Sequence, residues 1–242
     1  MKLGRIVAVV MLACAALPPA QAGSFSISPI RLDLASGESA TALTVSNEGD
    51  DAKLIQVSVL RWTREGGEDR TVPDETVVVT PPLFQLAAKG GSQVVRIGFA
   101  HPPAPLSTER AWRVIAEEVQ PSAAESGAGA SINLRLRISL PLFLAPSQPH
   151  QDFHWEGAVD AAGKLRLVAV DNSNVSERLD EVVVNAADGH RLGHLPGPIY
   201  VFPGEHRVLD VATTERVKPG PVKLQLQGTL RSLNADLVLS AQ

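Results

Sequence analysis

Short apolar runs of period two, broken by turn residues at intervals of about ten positions, set the tightest limit on what this chain can fold into. Phe25 and Ile27 lead into Ile30, Leu32 and Leu34, and Gly37 closes that run. Leu43 and Val45 follow, then Ile55, Val57 and Val59, with Asn47 to Asp51 as the turn between them. Val77 to Val79, Val94 to Phe99 after the turn Lys89-Gly90-Gly91, then Trp112, Val114 and Ala116, and last Ile132 to Leu144 continue the series. Alternation of this kind predicts antiparallel strands stacked as a sandwich, and no long stretch carries the 3.6-residue period of an amphipathic helix. About seven such strands up to Leu144 match the count of an immunoglobulin-like sandwich.

Ala145-Pro146-Ser147-Gln148-Pro149 ends this first unit, because two prolines fix φ and remove two backbone donors from any ladder. The same grammar then restarts at Phe153 to Val159 and runs through Leu165 to Ala169, Val182 to Val184, Ile199 to Phe202, Val208 to Val211, Val222 to Gln227 and Leu230 to Leu239. The expected architecture is therefore all-β: a sandwich over 23–145, a linker at 146–149 and a second, shorter β-sandwich over 150–242.

Residues 1–22 read as a signal peptide rather than as part of the fold. Lys2 and Arg5 supply a positive start, Ile6 to Leu17 an apolar stretch too short for a bilayer anchor, and Ala20-Gln21-Ala22 a small-x-small cleavage site. The one Cys of the chain, Cys14, lies in that stretch, so a mature chain cut after Ala22 holds no thiol. An intramolecular disulfide framework and any multi-cysteine metal site are excluded. A formal net charge of -4 gives no electrostatic case for nucleic acid.

Motifs of catalysis are missing. There is no Gly-x-Ser-x-Gly elbow, no phosphate-cradling glycine loop and no His-Glu-x-x-His, so neither an enzymatic activity nor a cofactor is expected. Lys89-Gly90-Gly91-Ser92 lacks the upstream glycine of a phosphate loop and reads as a hairpin turn. His150 and His154, like His190 and His194, are four apart, which aligns ligands on a helix; these pairs fall in a linker and a Gly/Pro-rich loop and read as solvated. No metal site is expected. Glu65, Glu68 and Asp69 around Gly66-Gly67 read as a solvated hairpin tip. Three Trp, one Tyr and six Phe, all expected in the cores, leave few aromatic platforms for a sugar ligand.

The informative stretch runs from Ser131 to Pro146. Ile132, Leu134, Leu136, Ile138 and Leu140 fall on one face, with Asn133, Arg135, Arg137 and Ser139 on the other, after a run of small and polar residues from Pro121 to Ala130. As a core strand it is ordinary; as an edge, its apolar face invites a partner to add a strand.

At these positions the chain resembles the periplasmic chaperones of pilus and fimbria assembly, the PapD-like family. The likeness rests on Ser28 to Leu32 followed by Ser46-Asn47, on Val79 to Phe84 leading to Lys89 to Ile97, on Thr108 to Arg113, on Leu140 to Pro146 and on Phe202 to Glu205. The resemblance implies two immunoglobulin-like domains set as an L around a cleft, with no cofactor and no small-molecule substrate. It implies that the last strand of the first domain is donated to a pilin or fimbrial subunit, which then passes to an outer-membrane usher. Ile132, Leu134, Leu136 and Ile138 would be the donor side chains, and Arg31 the cleft cation that grips the subunit's C-terminal carboxylate. Two positions depart from the pattern. The family's second cleft cation falls on Pro141, where Arg137 on the same face could substitute, and the basic member of its interdomain salt bridge falls on Ala145, with Glu109 as the acidic one. An exported adhesin or glycan-binding sandwich, and a secreted hydrolase, are the other classes this sequence admits.

Overall fold

A computed structural model of the chain describes residues 25–119, 135–228 and 232–241; residues 1–22, the 121–130 segment, Ile132 and Leu134 lie outside them. The described structure is all-β in two units.

The first unit contains ten strands: β1 (Phe25–Ser28), β2 (Leu32–Leu34), β3 (Ala40–Asn47), β4 (Lys53–Glu65), β5 (Glu68–Pro73), β6 (Val77–Thr80), β7 (Leu83–Leu86), β8 (Gly91–Phe99), β9 (Arg110–Glu118) and β10 (Arg137–Leu144). One sheet has the order β1-β3-β8-β6, and the other β2-β10-β9-β4-β5, with β7 paired to the start of β4. Alternation explains the facing layers: Val45, Ile55, Val95, Val114 and Leu142 are fully buried, and their sequence neighbours point outward. The run from Phe25 to Leu34 is not one strand. The chain leaves the first sheet after Ser28 and joins the second at Leu32, so Ile30, expected in the apolar series, is 71% exposed at the crossover.

The turn after β3 is fixed by Asn47, whose buried amide donates to the carbonyls of Asp51 (2.8 Å) and Ala87 (3.0 Å), while its Oδ1 accepts from Gly49 N–H (3.1 Å). The expected turn before β8 is present, with Lys89 and Gly90 both at positive φ.

The second unit comprises β11 (Phe153–Val159), β12 (Leu165–Asp171), β13 (Glu177–Ala186), β14 (Arg191–Val201), β15 (His206–Thr213), β16 (Gly220–Gly228) and β17 (Ser232–Ala241). Its sandwich closes into a barrel, because β11 pairs in parallel with β17 and β14 joins β15 through Gly193 and His194. The expected Gly/Pro-rich loop around His194 is thus a strand. Gly197 lets it pass close to β13: a Cβ there would lie 2.3 Å from the Leu179 carbonyl oxygen.

Candidate functional site

The core stripe of β10 outruns its sandwich. Leu140, Leu142 and Leu144 are buried, whereas Ile138 and Leu136 on the same face are only partly covered, at the margin of the core. β9 pairs with β10 along its whole length, from Glu117 opposite Arg137 to Arg110 opposite Leu144. β2 covers the other side of β10 only at Leu142 to Leu144. Among the described residues, the backbone from Arg137 to Pro141 therefore has a free edge. Its N–H and C=O groups and the apolar face of Leu136 and Ile138 are the working parts of a strand-addition site.

The opposite face of the same sheet forms the seam between the units. Phe143 of β10 and Trp62 of β4 meet Tyr200 and Phe202 of the second unit, with Trp62 5.1 Å from Tyr200 and 4.7 Å from Phe202, both edge-on. These aromatics, expected in the cores, instead join the two domains. Arg64 tightens the seam, bridging Asp69 at 2.7 Å and Glu205 at 3.1 Å. The expected hairpin tip of Glu65 and Glu68 is present and exposed, while Asp69 is drawn into this pair.

A second set of bonds closes the seam near the linker. Asn174 donates its amide to the carbonyls of Ser107 and Gln148, both at 2.9 Å. Glu109 accepts from Ser176 Oγ–H at 2.5 Å and from Ser176 N–H at 3.1 Å. The interdomain role expected of Glu109 is thus carried by a hydroxyl and a backbone amide, with Ala145 providing no base. Burial raises the Glu109 pKa above its ordinary value, against the pull of Ser176 and of nearby Arg31, with Asp33 adding to the rise. The folded chain then holds this proton at pH values where the unfolded chain has released it. The group's contribution to stability is full below the ordinary carboxylate range and is lost as pH rises through the raised value. Glu109→Gln is expected to flatten the pH dependence of the urea midpoint just above that range; an unchanged slope would place the titration elsewhere.

Arg31 lies in the crossover between β1 and β2. Its guanidinium is stacked 4.5 Å from the centre of the Phe143 ring, and Asp33 accepts from its Nε and Nη2 at 2.8–3.0 Å. Burial works against this charge, but the bonds and attraction of Asp33 outweigh it and hold the pKa above its ordinary value. Arg137 is exposed and sits 3.7 Å from Glu117. It is six residues from Phe143 along the strand, about 20 Å at the usual rise, so Arg31 and Arg137 do not share a site. The residue opposite Pro141 is Arg113 of β9, which sequence reading passed over because its place follows only from the β9–β10 register.

The histidines form no ligand cluster: among the described residues no group of three or more metal-ligating side chains is assembled. His154 lies on β11 and His194 on β14, not in loops, and His190 is held between Asp188 (2.6 Å) and Glu215 (2.8 Å).

A family model described as pili and flagellar-assembly chaperone, PapD N-terminal domain, matches residues 24–150. No curated protein matches the chain. Among solved structures, the complex of the CsuC chaperone with the CsuE tip adhesion subunit from Acinetobacter baumannii matches at a TM-score of 0.60 and 16% identity, over 90% of this chain and 99% of that one. The Escherichia coli chaperone DraB matches at 0.60 and 20%, over 88% and 98%. The complex of the SafA pilin with the SafB chaperone from Salmonella enterica matches at 0.62 and 19%, over 89% and 97%. At these identities the structural likeness is one of fold.

Proposed function

Since the chain belongs to the family of pili and flagellar-assembly chaperones with a PapD N-terminal domain, we propose that it is a periplasmic, non-enzymatic chaperone that captures pilin or fimbrial subunits by donating β10 and delivers them to an outer-membrane usher. The observation that supports this most is the free edge of β10 with its apolar face running out of the core at Ile138 and Leu136. Ile132 and Leu134 continue that face in the sequence. Burying three such side chains in a subunit's groove stabilises the complex by roughly 5–9 kcal/mol before ordering costs. Each added strand hydrogen bond contributes about 1 kcal/mol. No nucleotide is needed on this account.

The three Trp are each 9% exposed or less and Tyr200 is 7% exposed, so none of them offers a platform to a sugar. That favours a chaperone over a glycan-binding adhesin.

The test is co-purification of the tagged chain from periplasmic extract with a co-expressed subunit. Recovery of a small β-rich subunit at about 1:1 stoichiometry supports the reading, and failure to retain any subunit contradicts it. In the same assay Arg31→Ala is expected to weaken capture by about tenfold, the value of one charge-assisted hydrogen bond; an unchanged yield would remove Arg31 from the site.

A further inference from the structure

Arg113 stands apart from the other cations of the seam. Arg31 is paired with Asp33, Arg64 with Asp69 and Glu205, Arg178 with Asp180 and Arg137 with Glu117, while Arg113 enters no ion pair among the described residues. Its guanidinium lies 3.6 Å from the centre of the Trp62 ring and 5.6 Å from that of Tyr200. Burial and the nearby charge of Arg64 oppose the ionised form, partly offset by Tyr200 and Asp69, yet an arginine keeps its charge. A cation partly withdrawn from water with no counter-ion is a site short of an anion.

Its surroundings favour one. Arg113 lies in a groove across the outer face of the second sheet, floored by Trp62 and Ile115 and flanked by Thr71, Ser139 and Arg137. The hydroxyls and guanidiniums of this lining all donate to an anion, and the lining carboxylate, Asp69, is already taken by Arg64. The groove reaches β10 at Arg137 and Ser139, next to the free edge. At its other end Tyr200 and Phe202 pack on Trp62 and stop it. A chain lying in such a groove ends there rather than passing through.

We propose that Arg113 is the anchor for the C-terminal carboxylate of the captured polypeptide, with Trp62 fixing the guanidinium plane. Arg31, its fork occupied by Asp33, serves to orient the crossover beside Phe143. The assignment rests on the subunit-capture reading above and adds the group that is gripped and the residue that grips it.

The probe is acetyl-Val-Thr-Val-Thr as the free acid and as its C-terminal amide, titrated into the full chain. Binding is followed at the arginine Nε–H resonances by NMR, with Arg113 identified as the signal lost in Arg113→Lys. The acid is expected to move the Arg113 signal and to bind roughly tenfold more tightly than the amide, a preference reduced in Arg113→Lys and lost in Arg113→Gln. Equal response to acid and amide, or a shift at Arg31 with Arg113 unmoved, would overturn the assignment. Subunit capture by the same variants is scored separately. Capture that persists without a carboxylate preference in the parent chain sinks this assignment alone, whereas absence of any capture sinks the reading it rests on.

Discussion

Leu134→Glu combined with Leu136→Glu is expected to leave a folded protein that no longer captures a subunit. Leu136 lies at the open end of the β10 stripe, only partly covered by the core, and Leu134 precedes it by one period on the same face of the sequence. In the free chain these positions contribute little to stability, so circular dichroism and the thermal midpoint should stay close to those of the parent. In a subunit's groove each would be buried, and each is worth roughly 1.5–3 kcal/mol. Replacing both with charges therefore removes at least about a hundredfold in affinity. Co-purification measures it directly. A double variant that still retains its subunit in full would show that the strand is not what is donated.

Trp62→Ala carries the other large effect, and it acts on the seam instead of the strand. The indole is 1% exposed, although it points away from the first core; the second unit and Arg113 supply its cover. Truncating a buried Trp costs about 3–5 kcal/mol, and the edge-on contacts to Tyr200 and Phe202 add to the loss. Denaturant unfolding is expected to show that loss. The two domains should then also melt as separate transitions, since the remaining ties are the Glu109–Ser176 and Asn174 bonds near the linker and the Arg64 pairs. A loss below about 1 kcal/mol would mean that the seam does not depend on this ring.

The strand series was legible because period two is a direct record of which side chain faces a core. Val45, Ile55, Val95, Val114 and Leu142 all sit where alternation put them. The domain break at Pro146 and Pro149 was legible for an equally local reason, the loss of two backbone donors. Other features needed the third dimension. Alternation marks Trp62 as lying opposite Arg61 and Thr63 but cannot tell a core from an interface, so its place at the seam was missed along with those of Tyr200 and Phe202. β14 was read as a loop from its Gly and Pro content; the spacing that lets Gly197 slide past the Leu179 carbonyl exists only once β13 is alongside. Arg113 belongs to the site through its register with Pro141, and register across β9 and β10 is not written in either strand alone.

Amide hydrogen exchange of the chain, free and bound to a captured subunit, tests strand donation most directly. Leu136 to Leu140 have a partner on one side only, and a subunit strand added to the open edge must protect amides there. The account predicts that the largest gain in protection on binding falls in the segment from Arg135 to Leu140, with β6 on the opposite sheet unchanged. Protection gained elsewhere, with that segment exchanging as fast as in the free chain, would contradict it.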